Sequence, residues 1–142
     1  MVDESYFEKP CWVIDFLPER VPADEQGRFF DVEAHYLLAK NYEKIRKQFS
    51  AVVLKLYCYY DVEVYENEDE EGQLNIDPAM LEWTINSNGY ELSIVFGNKE
   101  GLLTIGIDDT HMTLFGPSKR LLHLAGRITE AQGLFIWQPD ND

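Results

Sequence analysis

Near residue 50 the spacing of apolar side chains changes character. Phe30, Ala34, Leu37, Leu38, Ile45 and Phe49 recur at offsets of 0, 4, 7, 8, 15 and 19, which places them on one face of a helix. Asp31 is positioned to cap that helix, and Lys44, Arg46 and Lys47 lie toward the negative end of its dipole. From residue 52 to 65 the pattern alternates instead. Even positions carry Val52, Leu54, Leu56, Cys58, Tyr60, Val62 and Val64; odd ones carry Val53, Lys55, Tyr57, Tyr59, Asp61, Glu63 and Tyr65. Successive side chains of a strand point to opposite faces, so this alternation predicts a long strand with a dry side and a wet side. The wet side holds tyrosines and carboxylates.

The remaining punctuation fills in the order of elements. "CWVIDFL" (11–17) is aromatic and β-branched between two prolines, a strand signature, and 18–28 has the Pro, Gly and Asp content of a loop. Residues 66–78 read as loop. Residues 78–89 read as a short helix opened by Asp77 and Pro78 and stopped by Gly89, with a strand from Leu81 to Ile85 as the alternative. Strands at 90–96, 101–107 and 111–115 are separated by the short turn signals "GNKEG" and "DDT", as in an antiparallel meander. A helix opened by Gly116-Pro117 and closed by Gly133 precedes a last strand at 134–137. Gly126 inside that helix is explained by close packing on the sheet. The expected fold is therefore α+β: a single domain over 1–142, mostly antiparallel sheet in the order β-α-β-(α)-β-β-β-α-β, with helices packed on one face and polar tails at 1–9 and 138–142.

Twelve Lys and Arg stand against 26 Asp and Glu, a formal net charge of -14. Such a surface repels nucleic-acid phosphates and anionic lipid, and it steers basic partners inward. Nucleic acid and membrane are accordingly excluded as expected partners. No stretch approaches the roughly 18 apolar residues of a membrane span, and the first ten residues lack the pattern of a signal peptide. Cys11 and Cys58 make neither a disulfide framework nor a metal motif, which points to a reduced, cytoplasmic protein.

The acids are not spread evenly. Between Lys55 and Lys99 lie ten acids and no Lys or Arg, so this stretch carries -10 of the -14. The run "ENEDEEG" fails as a calcium loop: with Gly72 at its sixth position, the twelfth is Pro78, which has no ligand atom. No metal site is expected. As a docking surface the same region is better equipped. Tyr57, Tyr59 and Tyr65 would share a face with Asp61 and Glu63, and Glu68, Asp69, Glu70 and Glu71 follow at its end. Tyrosine supplies large contact area with few rotors, and surrounding acids accelerate encounter with a basic partner. A long strand at a sheet edge would also allow a homodimer.

Catalytic motifs are missing from the sequence, and neither a catalytic residue nor a cofactor is assigned. The remaining enzyme option is a small hydrolase or metal-assisted enzyme using Asp108, Asp109 and His111, with Glu82 or His35 nearby. The "DDTH" stretch is also what a tight hairpin turn requires. In size, charge and α+β layout the chain is similar to the small acidic immunity proteins with which bacteria neutralise basic toxin enzymes; the similarity is one of general character. It implies a non-catalytic inhibitor whose tyrosine-and-acid surface plugs a basic, concave partner.

Overall fold

The alternation that begins at Val52 does not make a strand there, because the preceding helix continues through it. The computed structural model describes residues 2–24 and 26–139. Helix α2 runs from Ala39 to Tyr57, and Ile45, Phe49, Val52, Val53 and Leu56 are all fully buried along it. Those five fall at helical spacing, whereas alternation puts Val53 on the side opposite Val52 and Leu56. A helix already nucleated extends residue by residue at little cost, and nothing between Ser50 and Tyr57 breaks it. The strand β2 is confined to Val62–Glu66.

At its other end the expected helix is broken in two. Helix α1 spans Arg28–Tyr36, started by Gly27 at φ 84°, and Leu38 is extended before α2 begins. Phe30 and Leu38 are consequently 68% and 61% exposed, and the stripe they were expected to extend begins only at Ile45. Asp31 lies inside the first turn of α1, and the capping position belongs to Gly27.

The other strands are β1 (Cys11–Asp15), β3 (Gln73–Leu74), β4 (Leu92–Phe96), β5 (Gly101–Ile105), β6 (His111–Phe115) and β7 (Phe135–Trp137). Together with β2 they form one antiparallel sheet in the order β3-β2-β4-β5-β6-β1-β7. The expected α+β architecture is what the chain adopts. Strand β2 is interior: β4 pairs along its whole length on one side, and β3 pairs with Glu63 and Val64 on the other. The short β3 was not expected; its two residues sit within the segment read as loop.

Helix α3 (Pro78–Ser87) starts as the sequence predicts, with the Asp77 carboxylate accepting from the Met80 N–H at 3.4 Å and Pro78 in the first turn. Asn88, at φ 57°, ends it one residue before Gly89. Helix α4 (Lys119–Ala131) is capped by Ser118, whose Oγ accepts from the Leu121 N–H at 3.1 Å, so Pro117 precedes the cap. Helices α2, α3 and α4 pack their apolar faces on one side of the sheet, against Ile14, Val64, Ile94, Leu103, Met112 and Leu114. Among the described residues no helix is long and apolar enough to cross a membrane.

The opposite side of the sheet is only partly covered. A 3-10 turn at Glu4–Glu8, capped by Asp3 accepting from the Ser5 N–H at 3.0 Å, lies across it. Tyr6 is 3% exposed there, and Phe7 meets Phe115 edge-on with ring centroids 5.0 Å apart. Residues expected to be an N-terminal tail are thus part of the fold. Of the expected C-terminal tail, 140–142 lie outside the described residues.

Candidate functional site

Strand β2 aims Val62 and Val64 into the core, and the pleat sends Glu63 and Tyr65 to the open face. Tyr65 is 8% exposed, and its hydroxyl donates to the Glu63 carboxylate. That bond, reinforced by burial, pushes the Tyr65 hydroxyl up to about 12. Gly72 closes over the same ring: a Cβ there would stand 2.5 Å from Glu63 Cγ and 2.8 Å from the tyrosine ring. Only glycine lets the returning chain lie so close.

The acidic loop after β2 is pinned, not loose. The Asn67 N–H donates to the Glu91 carbonyl at 2.7 Å, and Asn67 Oδ1 accepts from the Glu91 N–H at 3.1 Å. Asn67 itself sits at φ 53°, a left-handed conformation that asparagine tolerates. Within the loop the Asp69 N–H donates to the Glu66 carbonyl at 3.1 Å. Glu68, Asp69, Glu70 and Glu71 are all exposed.

Between this loop and the N-terminal turn lies a cleft of about 530 Å³. Glu4 and Phe7 form one wall, Tyr65 and Ser93 the floor, and Glu68, Asp69 and Glu70 the other wall. Four acidic and two aromatic residues thus line one concavity, and among the described residues no Lys or Arg lines it. Glu4 and Phe7 were missed by reading 1–9 as a tail; the signal lay in Asp3 spaced to cap Ser5, followed by two adjacent aromatics.

The other expected site residues go elsewhere. Tyr57 is the last residue of α2, half-buried, with its hydroxyl donating to the Ile76 carbonyl at 2.9 Å. Tyr59 is 54% exposed in the following turn, with the Arg120 guanidinium 6.0 Å from its ring centroid. Asp61 is exposed and accepts from Asn75 Nδ2 at 3.1 Å. Because the backbone is helical to residue 57, Tyr57, Tyr59 and Tyr65 do not share one face, and the expected tyrosine surface is not formed. Glu63, Tyr65 and the loop acids are what remains together.

Asp108, Asp109 and His111 occupy the β5–β6 turn and the start of β6. Asp108, at φ 61°, accepts from Asn88 Nδ2 at 2.7 Å and donates its N–H to Asn88 Oδ1 at 2.8 Å. The Asp109 carbonyl is 3.2 Å from the Tyr42 hydroxyl. His111 stands opposite Asp15 of β1, whose carboxyl is pushed up by burial against the pull of backbone N–H groups at Leu17 and Phe16 and of His111. Glu82 is exposed on α3, beside α2, and His35 is exposed on α1. These bonds brace a turn against α2 and the end of α3.

Among the described residues no group of three or more His, Cys, Asp or Glu side chains is arranged to hold a metal ion. Compared with protein-family models, with curated proteins and with solved structures, the chain matches none. Fold and site together define an acidic α+β protein with a carboxylate and aromatic cleft on the open side of its sheet.

Proposed function

We propose that the protein is a non-catalytic binding module that receives a basic segment of a partner protein in the cleft between the N-terminal turn and the 66–71 loop. One observation carries this: four acidic residues and two aromatic ones, Phe7 and Tyr65, line the same concavity. A guanidinium bonds carboxylates in pairs and stacks on ring faces, so arginine is the side chain such a lining suits best. Acids around the cleft speed the encounter of a basic partner. An immunity-type inhibitor of a basic toxin enzyme is the form of this function that size, charge and layout favour. The free thiols of Cys11 and Cys58 fit the cytoplasm as its compartment.

A hexa-arginine peptide titrated against labelled protein tests the cleft by NMR. At about 20 mM salt the amides of Phe7, Tyr65 and Ser93 should shift, and at about 300 mM the shifts should largely vanish. Glu68→Lys with Asp69→Lys should abolish them while circular dichroism stays unchanged, and Tyr59→Ala should have no effect. Shifts scattered evenly over the acidic surface, or surviving the double substitution, would show that the cleft is not the site.

A further inference from the structure

The acids have a counterpart on the other side of the molecule. Lys40, Lys44, Lys47 and Lys55 are all exposed on α2. At 3.6 residues per turn they fall within an arc of about 80°, roughly opposite the buried Ile45–Phe49–Val52–Val53–Leu56 face. The only acid on that helix is Glu43. Beside the stripe, a groove of about 400 Å³ runs between α2 and α3, where Lys47, Ala51, Leu54 and Lys55 face Glu82 and Asn86. The acidic loop and its cleft belong to the sheet's open side, and the lysine groove belongs to the outer side of the helix layer.

We infer that a second copy of this chain docks its 66–71 loop on the lysine-lined groove between α2 and α3, so that copies associate head to tail. The two surfaces are complementary in charge, and both are present on every molecule. The contact is heterologous, because loop and groove lie on opposite sides, and a heterologous contact propagates instead of closing into a pair. A single loop buries less than the about 800 Å² per partner of a standard interface, so the association is weak and transient.

Charge also dictates an unusual salt dependence. At about 10 mM salt the Debye length is about 30 Å, and the like net charges of two whole molecules repel. At about 100 mM it falls to about 10 Å, which screens that repulsion while the loop–groove contact persists. At about 1 M it is about 3 Å, and the contact itself is screened. Self-association therefore peaks at intermediate salt, whereas a basic partner in the cleft binds best at the lowest.

Sedimentation velocity on the full chain at these three salt concentrations tests the inference. Wild type should grow in average mass with protein concentration, most steeply at about 100 mM. Lys47→Gln with Lys55→Gln should weaken association about tenfold or more, as should Glu68→Gln with Asp69→Asn. Mixed in equal amounts, the two variants should form 1:1 dimers and stop there, since only one competent loop and one competent groove remain per pair. A wild type that stays monomeric at all three salts overturns the inference, and so does association that either variant leaves intact or a closed two-fold dimer. The groove variant keeps its cleft, so its response to hexa-arginine separates failure here from failure of the proposed function.

Discussion

Arg46 is 1% exposed and donates to two backbone carbonyls, Nε to that of Ile85 at 2.9 Å and Nη1 to that of Gly106 at 3.2 Å. Its guanidinium lies 5.9 Å from the Tyr42 ring centroid and 5.8 Å from that of Phe49. Burial pulls its pKa below the ordinary arginine value, opposed first by Tyr42 and then by Asp109 and Asp108. The side chain ties α2 to the last residues of α3 and to the turn after β5, three points no apolar residue could bridge. In sequence Arg46 passes for a cation near the end of a helix, because the helix there was expected to stop near Phe49. Replacing it with Met supplies a similar volume and removes a buried charge, yet orphans two carbonyls at about 1–3 kcal/mol each. Arg46→Met should therefore destabilise by about 2–4 kcal/mol in urea unfolding, with faster amide exchange around Gly106. A neutral effect would mean that those carbonyls find other partners, and that Arg46 does not brace the turn.

Elements bounded by strong punctuation were legible in the sequence, and those bounded only by a change of period were not. Asp77-Pro78 is a cap with a side-chain mechanism, and α3 begins where it places the helix, whereas α4 begins at the Ser118 cap, just after the Gly116-Pro117 pair from which the sequence opened it. The meander strands lie within the segments their turns delimit. At residues 52–57 both periods fit in part: Val52, Leu54 and Leu56 satisfy alternation, while Val52, Val53 and Leu56 satisfy helical spacing. What decided was helix continuity upstream and packing against the sheet, neither of which a short window shows. Gly126 was misjudged in the opposite direction. A Cβ there would meet Ile136 Cγ2 at 3.9 Å, an ordinary contact, so tight packing does not require glycine. Gly126→Ala should stabilise α4, and with it the protein, by about 0.5–1 kcal/mol in thermal or chemical unfolding. A loss of stability would show that α4 sits closer to β7 than this spacing allows.

For the molecule as a whole, the charge of the site was legible and its shape was not. The ten acids between Lys55 and Lys99 are a fact of composition, but the cleft exists only because Tyr6 and Phe7 fold the N-terminal turn over the open side of the sheet. Long-range contacts of this kind leave almost no local signature. The segregated charge also has an energetic consequence that distinguishes an interaction surface from mere solvation. Like charges held together on a pinned loop repel, and that repulsion is a standing cost to the folded state. Glu68→Gln, Asp69→Asn and Glu71→Gln together should return on the order of 1 kcal/mol, a rise in melting temperature of about 3–5 °C at about 10 mM salt. At about 0.5 M the gain should nearly vanish, because exposed charges are then screened within a few ångströms. The same triple substitution should abolish the hexa-arginine response of the cleft. Together those two outcomes would favour the proposed binding role of the loop over simple solvation. If neutralising the three carboxylates instead lowers the melting temperature, the acids hold the loop in place, and their concentration there is a matter of structure.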